Sequence, residues 1–308
     1  MPEQASSPRL LIAGHINLET TLQVDAFPIT YAPVRYPFYG VNTTVAGVGY
    51  NLTAALTILG NTVDLLALVG QDDTGTLVYD ALRRLNVAGD YVLPALQQTA
   101  QSVILYDGNG QRAIYTDLKD IQEHTYPADV AERALATADL AVICNINFSR
   151  PLLARAHALN VPIATDVHAI SDIHDDYNRD YMAHAHILFQ SHERLPGTPT
   201  DWIKQVWATY ATPIVVVGMG SQGALLGIHT GESITHVPAV STRPVINTVG
   251  AGDALFAAFL HTYAHTQDAR LALRKAVVFA SYKIGVAGAA EGFLNTNELD
   301  DEWSNRVD

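Results

Sequence analysis

Cysteine is nearly absent from this chain. Cys144 stands alone, so no intramolecular disulfide and no cysteine-based zinc site can form. It follows the apolar run Leu140-Ala141-Val142-Ile143 and reads as a buried, inert thiol. Positive charge is also scarce: 18 Lys and Arg stand against 31 Asp and Glu, a formal net charge of −13. The basic footprint of a nucleic-acid binder is missing, so no nucleic-acid partner is expected. A local anion site remains open to the chain, because backbone N–H groups bind phosphate without net positive charge. No apolar run approaches the roughly 20 residues that cross a bilayer, so no membrane partner is expected. The stretch from Met1 to Arg9 is short and polar and lacks the layout of a signal peptide. A cytoplasmic protein is the expectation. Charged residues make up only 16% of the chain and apolar ones 48%, which excludes a mainly disordered polypeptide.

Short β-rich apolar runs alternate with helical patterns. Leu10 to Ala13, Val63 to Val69, Leu140 to Ile146, Val161 to Thr165, His186 to Phe189 and Ile214 to Val217 read as buried strands. Asn51 to Leu59 (stopped by Gly60), Gly75 to Leu85 (capped by Asp73 and Thr74), Leu152 to Leu159 and Asp201 to Tyr210 read as helices. The alternation predicts an α/β fold, a mainly parallel sheet with helices on both faces. The 308 residues suit about two domains or one large α/β domain; the reading adopted is one domain over 1–308. Two segments break the pattern. Ser102 to Tyr106 and Arg112 to Thr116 flank Asp107-Gly108-Asn109-Gly110, a hairpin signal. Leu18 to Val24 and Tyr36 to Thr44 are strand-like with alternating polarity. Together they predict a small antiparallel sheet projecting from the body. Two closing helices are expected, Asp253 to about His265 and Asp268 to Ala287.

The most informative stretch is Asn247-Thr248-Val249-Gly250-Ala251-Gly252-Asp253, directly before an amphipathic helix. Small residues let the backbone approach a ligand. N–H groups at a helix start, helped by the helix dipole, suit a phosphate or the charge that grows during phosphoryl transfer. Asp253 at the rim could accept a proton from an attacking hydroxyl. The same residues also fit a plain glycine turn with Asp253 as helix cap, and spacing alone does not decide. Ala46-Gly47-Val48-Gly49-Tyr50-Asn51, before the first helix, is a second close-approach pattern, with Asn51 able to donate and accept hydrogen bonds.

Together these segments resemble the ribokinase-like sugar kinases, the phosphofructokinase-B carbohydrate kinase family, over nearly the whole chain. Gly47-x-Gly49-x-Asn51 with Leu59-Gly60, continued by Val69-Gly70-x-Asp72-x-x-Gly75, is similar to the family's N-terminal signature. Thr248-x-Gly250-Ala251-Gly252-Asp253 is similar to its more specific C-terminal one. The resemblance implies a three-layer α/β/α fold with a small antiparallel lid, inserted at about 17–44 and 98–118, that often forms a dimer contact. It implies an ATP-dependent kinase acting on a hydroxymethyl group of a sugar or sugar derivative, with Mg²⁺. Asp253 would be the catalytic base, and Gly250, Ala251 and Gly252 with it the anion hole. Asn17, Glu19, Gly47 and Asn51 match substrate positions, Glu19 standing where Asp is usual; Asn147, at a strand end, could also reach the sugar. Thr248, Gly220, Gly223 and Gly288 fall at the nucleotide, and Glu193 matches a glutamate that helps hold Mg²⁺ through water. Asn247 replaces an Asp that often helps bind K⁺, so a K⁺ requirement is not carried over. Gln190 and Gly218 replace a usual Asn and Thr, and Val48 replaces a residue that is polar in some ribose-specific members. The implied partners are a small sugar or nucleoside and a second copy of the chain. A nucleoside kinase, with Val48, Tyr50, Phe38 and Tyr39 against a base, is the alternative; a non-catalytic sugar-binding relative is another.

Other features read plainly. Gly218-x-Gly220-x-x-Gly223 looks like a dinucleotide fingerprint, but Ala224 to Ile228 reads as a strand where that fingerprint needs a helix. His261 and His265 read as a surface face, His184-x-His186 as no metal site, Asp172 to Asp176 as a solvated loop, and Lys119 and Lys283 as surface charges. Asp166, at a strand end, reads as a helix cap or turn residue, or as support for phosphate or Mg²⁺.

Overall fold

The structure, a computed structural model, describes residues 7–108 and 111–306. The strands are β1 (Arg9–Ala13), β2 (Asn17–Gln23), β3 (Val41–Ala46), β4 (Thr62–Gly70), β5 (Val92–Leu96), β6 (Gln101–Tyr106), β7 (Arg112–Asp117), β8 (Leu140–Ile143), β9 (Ile163–Asp166), β10 (Ile187–Ser191), β11 (Ile214–Gly218), β12 (Ala224–Ile228) and β13 (Ser233–Val237). The α-helices are α1 (Val48–Ile58), α2 (Asp73–Arg84), α3 (Ala128–Leu135), α4 (Pro151–Ala158), α5 (Arg179–His184), α6 (Pro199–Tyr210), α7 (Ala251–Thr266), α8 (Ala269–Lys283) and α9 (Thr296–Ser304). The large sheet runs β13-β12-β11-β10-β9-β8-β1-β4-β5, parallel throughout except for the two antiparallel strands β12 and β13 at one edge. The small sheet runs β3-β2-β6-β7, with only β2 and β6 parallel.

The continuous apolar runs arise because both faces of the large sheet are covered. Side chains alternate between faces with period 2. Leu10 and Ile12 of β1 join a core shared with α1, α7 and α8, while Leu11 and Ala13 join a second core with α3, α4 and α6. Val142 of β8 and Val216 of β11 repeat the first assignment, Ile143 and Val217 the second. β1 lies between β4 and β8, where the sheet changes its direction of growth. Ligand crevices of parallel sheets open outside the strand ends at such a point.

Several boundaries differ from expectation for local reasons. α1 starts three residues early, because Gly47 at φ 95° starts the helix ahead of Val48. α2 is capped by Asp72, whose Oδ1 accepts from Gly75 N at 2.8 Å, not by Asp73 or Thr74. Asp72 Oδ2 also accepts from Thr99 N, which ties α2 to the segment entering β6. β3 starts at Val41, not Tyr36, because Pro37–Gly40 closes a turn (Gly40 N to Pro37 O, 2.9 Å) with Tyr39 at positive φ. α8 stops at Lys283, short of Ala287. The carbonyl of Ile284 is claimed by the N–H groups of Ile246 and Asn247, which pins the helix end to the loop before α7. β5, α3, α5, α9 and β13 were not expected at all. The Asn109-Gly110 part of the expected hairpin turn lies outside the described residues; its flanking strands pair from Gln101–Asp117 to Tyr106–Arg112.

Candidate active site

β1 ends at Ala13, and the chain passes through Gly14 and His15 into the small sheet. α1 returns onto the same place: Gly49 N donates to His15 O at 3.0 Å. A Cβ on Gly49 would lie 2.6 Å from the backbone carbonyl of Gly14, so only glycine permits this approach. That contact lays the first turn of α1 on the end of β1 and directs Asn51 across the crevice. Its Nδ2 donates to Asp253 Oδ2 at 2.6 Å.

Asp253 lies in the first turn of α7. The turn before it is set by Gly250 at φ 75°, where an added Cβ would meet the carbonyl oxygen of Ala289 at 2.5 Å. Among the described residues no acceptor takes the N–H groups of Gly250, Gly252 or Asp253, whereas Ala251 N donates to Thr248 O. Above Gly252 there is open space. Unpaired N–H groups at a helix start have the chemistry to bind an anion. The Asp253 carboxyl is half-buried. Withdrawal from water holds it above the usual carboxylate range, while the Asn51 hydrogen bond and the charge of His168 pull the other way.

β2 brings two polar side chains under this point. Asn17 and Glu19 are buried on the inner face of the small sheet. Asn17 Nδ2 donates to Ser102 Oγ at 3.1 Å. Among the described residues, Asn17 Oδ1, Glu19 Oε1 and Asn51 Oδ1 are buried without a partner. Buried polar atoms are rarely left so, and three together could accept the hydroxyls of a ligand. Burial, and then the charge of Asp253, raise the Glu19 carboxyl to about 7, with Lys283 opposing. His15 is lowered to about 4 by burial and by the charge of His168.

A cavity of about 540 Å³ adjoins, lined by Phe27, Gln111, Arg112, Glu193 and Thr248. Arg112 of β7 donates to Thr248 Oγ1 at 3.0 Å, so the small sheet reaches the anion loop through a cation. Gly220 and Gly223 bound a tight turn after β11, closed by Gly223 N to Gly220 O at 3.0 Å. The loop at Gly288 folds back so closely that a Cβ there would lie 2.6 Å from Glu291 Oε2. Gln190 on β10 is buried with both amide atoms unpartnered among the described residues.

Asn147 is turned elsewhere: its Nδ2 donates to Gln122 O, and its Oδ1 accepts from Arg150. Asp166 Oδ1 accepts from His168 N at 2.8 Å, a turn contact at the end of β9. Two readings need correction. Lys283 is not a surface charge but fully buried, and its Nζ donates to Val249 O. His261 is not on a surface face; it is buried against Asn61, and burial, then the charges of His265 and Lys275, lower its imidazole to about 4. Arg112, His15, His168 and Lys283 escaped sequence reasoning. For Lys283 a signal existed: it stands four residues after Phe279 and seven after Ala276, on the buried stripe of α8.

Among the described residues no group of three or more His, Cys, Asp and Glu side chains could hold a metal ion. Glu193 is exposed at the cavity wall. A single carboxylate does not cage an ion, but it suits Mg²⁺ that arrives on phosphates and keeps most of its water.

A parallel sheet with its crevice at the switch point, an anion loop, a carboxylate and a second sheet across them describe a phosphotransferase of small hydroxylated molecules. A model of the pfkB family of carbohydrate kinases matches residues 9–297. The ATP-dependent ribose-1-phosphate kinase of Halopiger xanaduensis is 30% identical over 91% of this chain and 93% of its own. The chain therefore belongs to the pfkB family of carbohydrate kinases. Among solved structures, a microbiome-derived acarbose kinase superposes with a TM-score of 0.87 at 23% identity, over 97% of this chain and 100% of that one. Arabidopsis thaliana ribokinase, complexed with ribose and ATP, does so with a TM-score of 0.77 at 22% identity, over 96% and 99%. The fold is that of ribokinase, and the chain is a sugar or nucleoside kinase. No helix among the described residues is long and apolar enough to cross a membrane.

Proposed function

We propose that this kinase transfers the γ-phosphoryl group of ATP to a hydroxymethyl group of a sugar or sugar derivative, with Asp253 as base and the 250–253 turn as anion hole. The observation that carries this reading is the Asn51–Asp253 hydrogen bond beside three orphaned acceptors, Asn17 Oδ1, Glu19 Oε1 and Asn51 Oδ1. Those atoms would accept sugar hydroxyls and turn one hydroxymethyl toward Asp253. Asn51 occupies Oδ2 of the carboxylate, leaving the other oxygen to take the hydroxyl proton. The N–H groups of Gly250, Gly252 and Asp253 would then meet the charge of the transferring phosphoryl.

The donor nucleotide would run from this turn past Thr248 along the cavity bounded by Arg112 and Glu193, toward Gly220, Gly223 and Gly288. Mg²⁺ would neutralise phosphate charge, held by the phosphates and, through water, by Glu193. The small sheet would act as a lid that excludes water, so that sugar and not water receives the phosphoryl. Its outer face carries Val41, Val103 and Tyr115, all more than 40% exposed, which suits a second copy of the chain. A sugar is favoured over a nucleoside because Tyr50 is buried in the core while Phe38 and Tyr39 are exposed, so the three aromatic residues do not line one stacking wall. The ribose-1-phosphate specificity of the Halopiger relative adds phosphorylated pentoses to the candidates.

The test is ADP release with Mg-ATP across sugars, sugar phosphates, amino and oligomeric sugars, and nucleosides, with Asp253→Asn as the blank. Turnover of one sugar class that falls by about 100- to 10,000-fold in the variant supports the assignment. Turnover retained in Asp253→Asn, or confined to nucleosides, overturns it.

A further inference from the structure

Lys283 has no task in the reaction described above, yet its placement is costly. It is fully buried, and among the described residues no carboxylate lies within ion-pair distance of its Nζ. A buried cation without a close partner is disfavoured unless its surroundings compensate. Here the compensation is the functional site itself. Burial lowers the ammonium to about 8, while Asp253, Glu19 and Glu291 support its charge and Arg112 opposes it. It therefore remains largely protonated at neutral pH.

Among the described residues its hydrogen bond is to the carbonyl of Val249. A trans peptide holds each C=O antiparallel to the N–H that follows. With Val249 O turned inward to Nζ, the N–H of Gly250 is turned away from Lys283. The other side of Val249 is fixed as well: its N–H donates to Asn247 Oδ1 at 2.9 Å, and Asn247 Nδ2 donates to Ala287 O at 2.9 Å. The peptide groups flanking Val249 thus have little freedom to rotate. Packing adds a third restraint, since Val249 sits in a small apolar cluster with Ala46, Ile104 and Ala289.

We propose that Lys283 is a positioning residue for phosphoryl transfer: its ammonium is a built-in cation behind the anion hole that orients the Val249–Gly250 peptide and offsets the charges of Glu19 and Asp253. The inference rests on the kinase reading and deepens it. The ammonium supplies this positive charge from the chain itself, so turnover should need neither K⁺ nor Na⁺.

The experiment begins with wild-type ADP release in K⁺, Na⁺ and tetramethylammonium buffers. Turnover of any acceptor establishes the kinase independently of Lys283, and equal rates in the three buffers are expected. Lys283→Met, close in shape but neutral, should lower kcat by about tenfold to hundredfold with ATP Kd nearly unchanged, while sugar KM at pH 7 rises because Glu19 loses a charge that favours its ionised form. Lys283→Ala should regain part of that loss when ethylammonium or K⁺ is added. A purely packing role would not produce rescue by a cation. An active wild type with an equally active Lys283→Met overturns the inference and leaves the kinase reading standing, as does a rate that collapses in tetramethylammonium. Should a variant fail to fold or no acceptor turn over, ¹⁵N-lysine NMR of the wild type decides. A slowly exchanging, hydrogen-bonded Nζ at the ammonium shift is expected; a neutral or freely exchanging Nζ overturns the inference.

Discussion

Asn51 and Asp253 are 202 positions apart, yet Asn51 Nδ2 donates to Asp253 Oδ2 at 2.6 Å. The bond joins the two sequence signatures and bears on the protonation of the Asp253 carboxyl. A hydrogen bond to the charged form of an acid lowers its pKa. Burial acts oppositely on Asp253 and prevails. Removing the Asn51 amide should therefore push the carboxyl higher still. If the ionised form is the base, as proposed, the acid limb of kcat should move to higher pH in Asn51→Ala. A pH–rate profile with an unmoved or downshifted limb would disprove this coupling.

Glu19 titrates near 7, inside the working range. Above that pH it is a carboxylate that, in the proposed sugar site, would accept charge-assisted hydrogen bonds from hydroxyls; below it, one oxygen carries a proton. Sugar KM should thus fall as pH rises through 7. Glu19→Gln should flatten this dependence while leaving the acid limb of kcat in place. A dependence that persists in Glu19→Gln would assign it to another group.

Gly250 meets two demands, a positive φ and a Cβ position 2.5 Å from the carbonyl oxygen of Ala289. Gly250→Ala should cost about 1–3 kcal/mol, read as a drop in Tm. It should also reduce kcat more than ATP affinity, because the N–H groups proposed to meet the phosphoryl would be displaced. Unchanged melting would mean that the loop adapts.

The outer face of the small sheet places Thr43, Thr20, Val103 and Tyr115 in one cross-strand row. Val103→Lys should convert a dimer to a monomer in sedimentation, with β-sheet content unchanged. A wild type that is monomeric at all concentrations would remove the basis of this expectation.

Much of this arrangement is legible locally. The apolar runs of β1, β8 and β11 are buried on both faces, so composition alone marks them. The 248–253 turn and α7 follow each other directly, so their chemistry can be read in one glance along the chain. Elements with weak local signals are less readable. β5 contains Pro94 and lies at the sheet edge, α3 is a short Ala-rich segment, and α9 is announced mainly by its capping box at Asn295 and Glu298. The site residues that stayed hidden depend on tertiary register. Arg112 matters because of where β7 ends against Thr248, and Lys283 because α8 terminates beneath the turn. A lysine read alone defaults to the surface; only its alignment with Ala276 and Phe279 contradicts that.

The cluster of Ala46, Ile104, Val249 and Ala289 draws one residue from each of four distant segments. Two belong to the small sheet, one to the turn before α7 and one to the loop after α8. Its volume is shared, so none of the four can change size in isolation. Over the history of the protein, a larger residue at 46 or 289 would be tolerated only alongside a smaller one at 104 or 249. These positions are accordingly bound to drift in compensating pairs, and chimaeras that exchange the small sheet between relatives should work only when 249 and 289 travel with it.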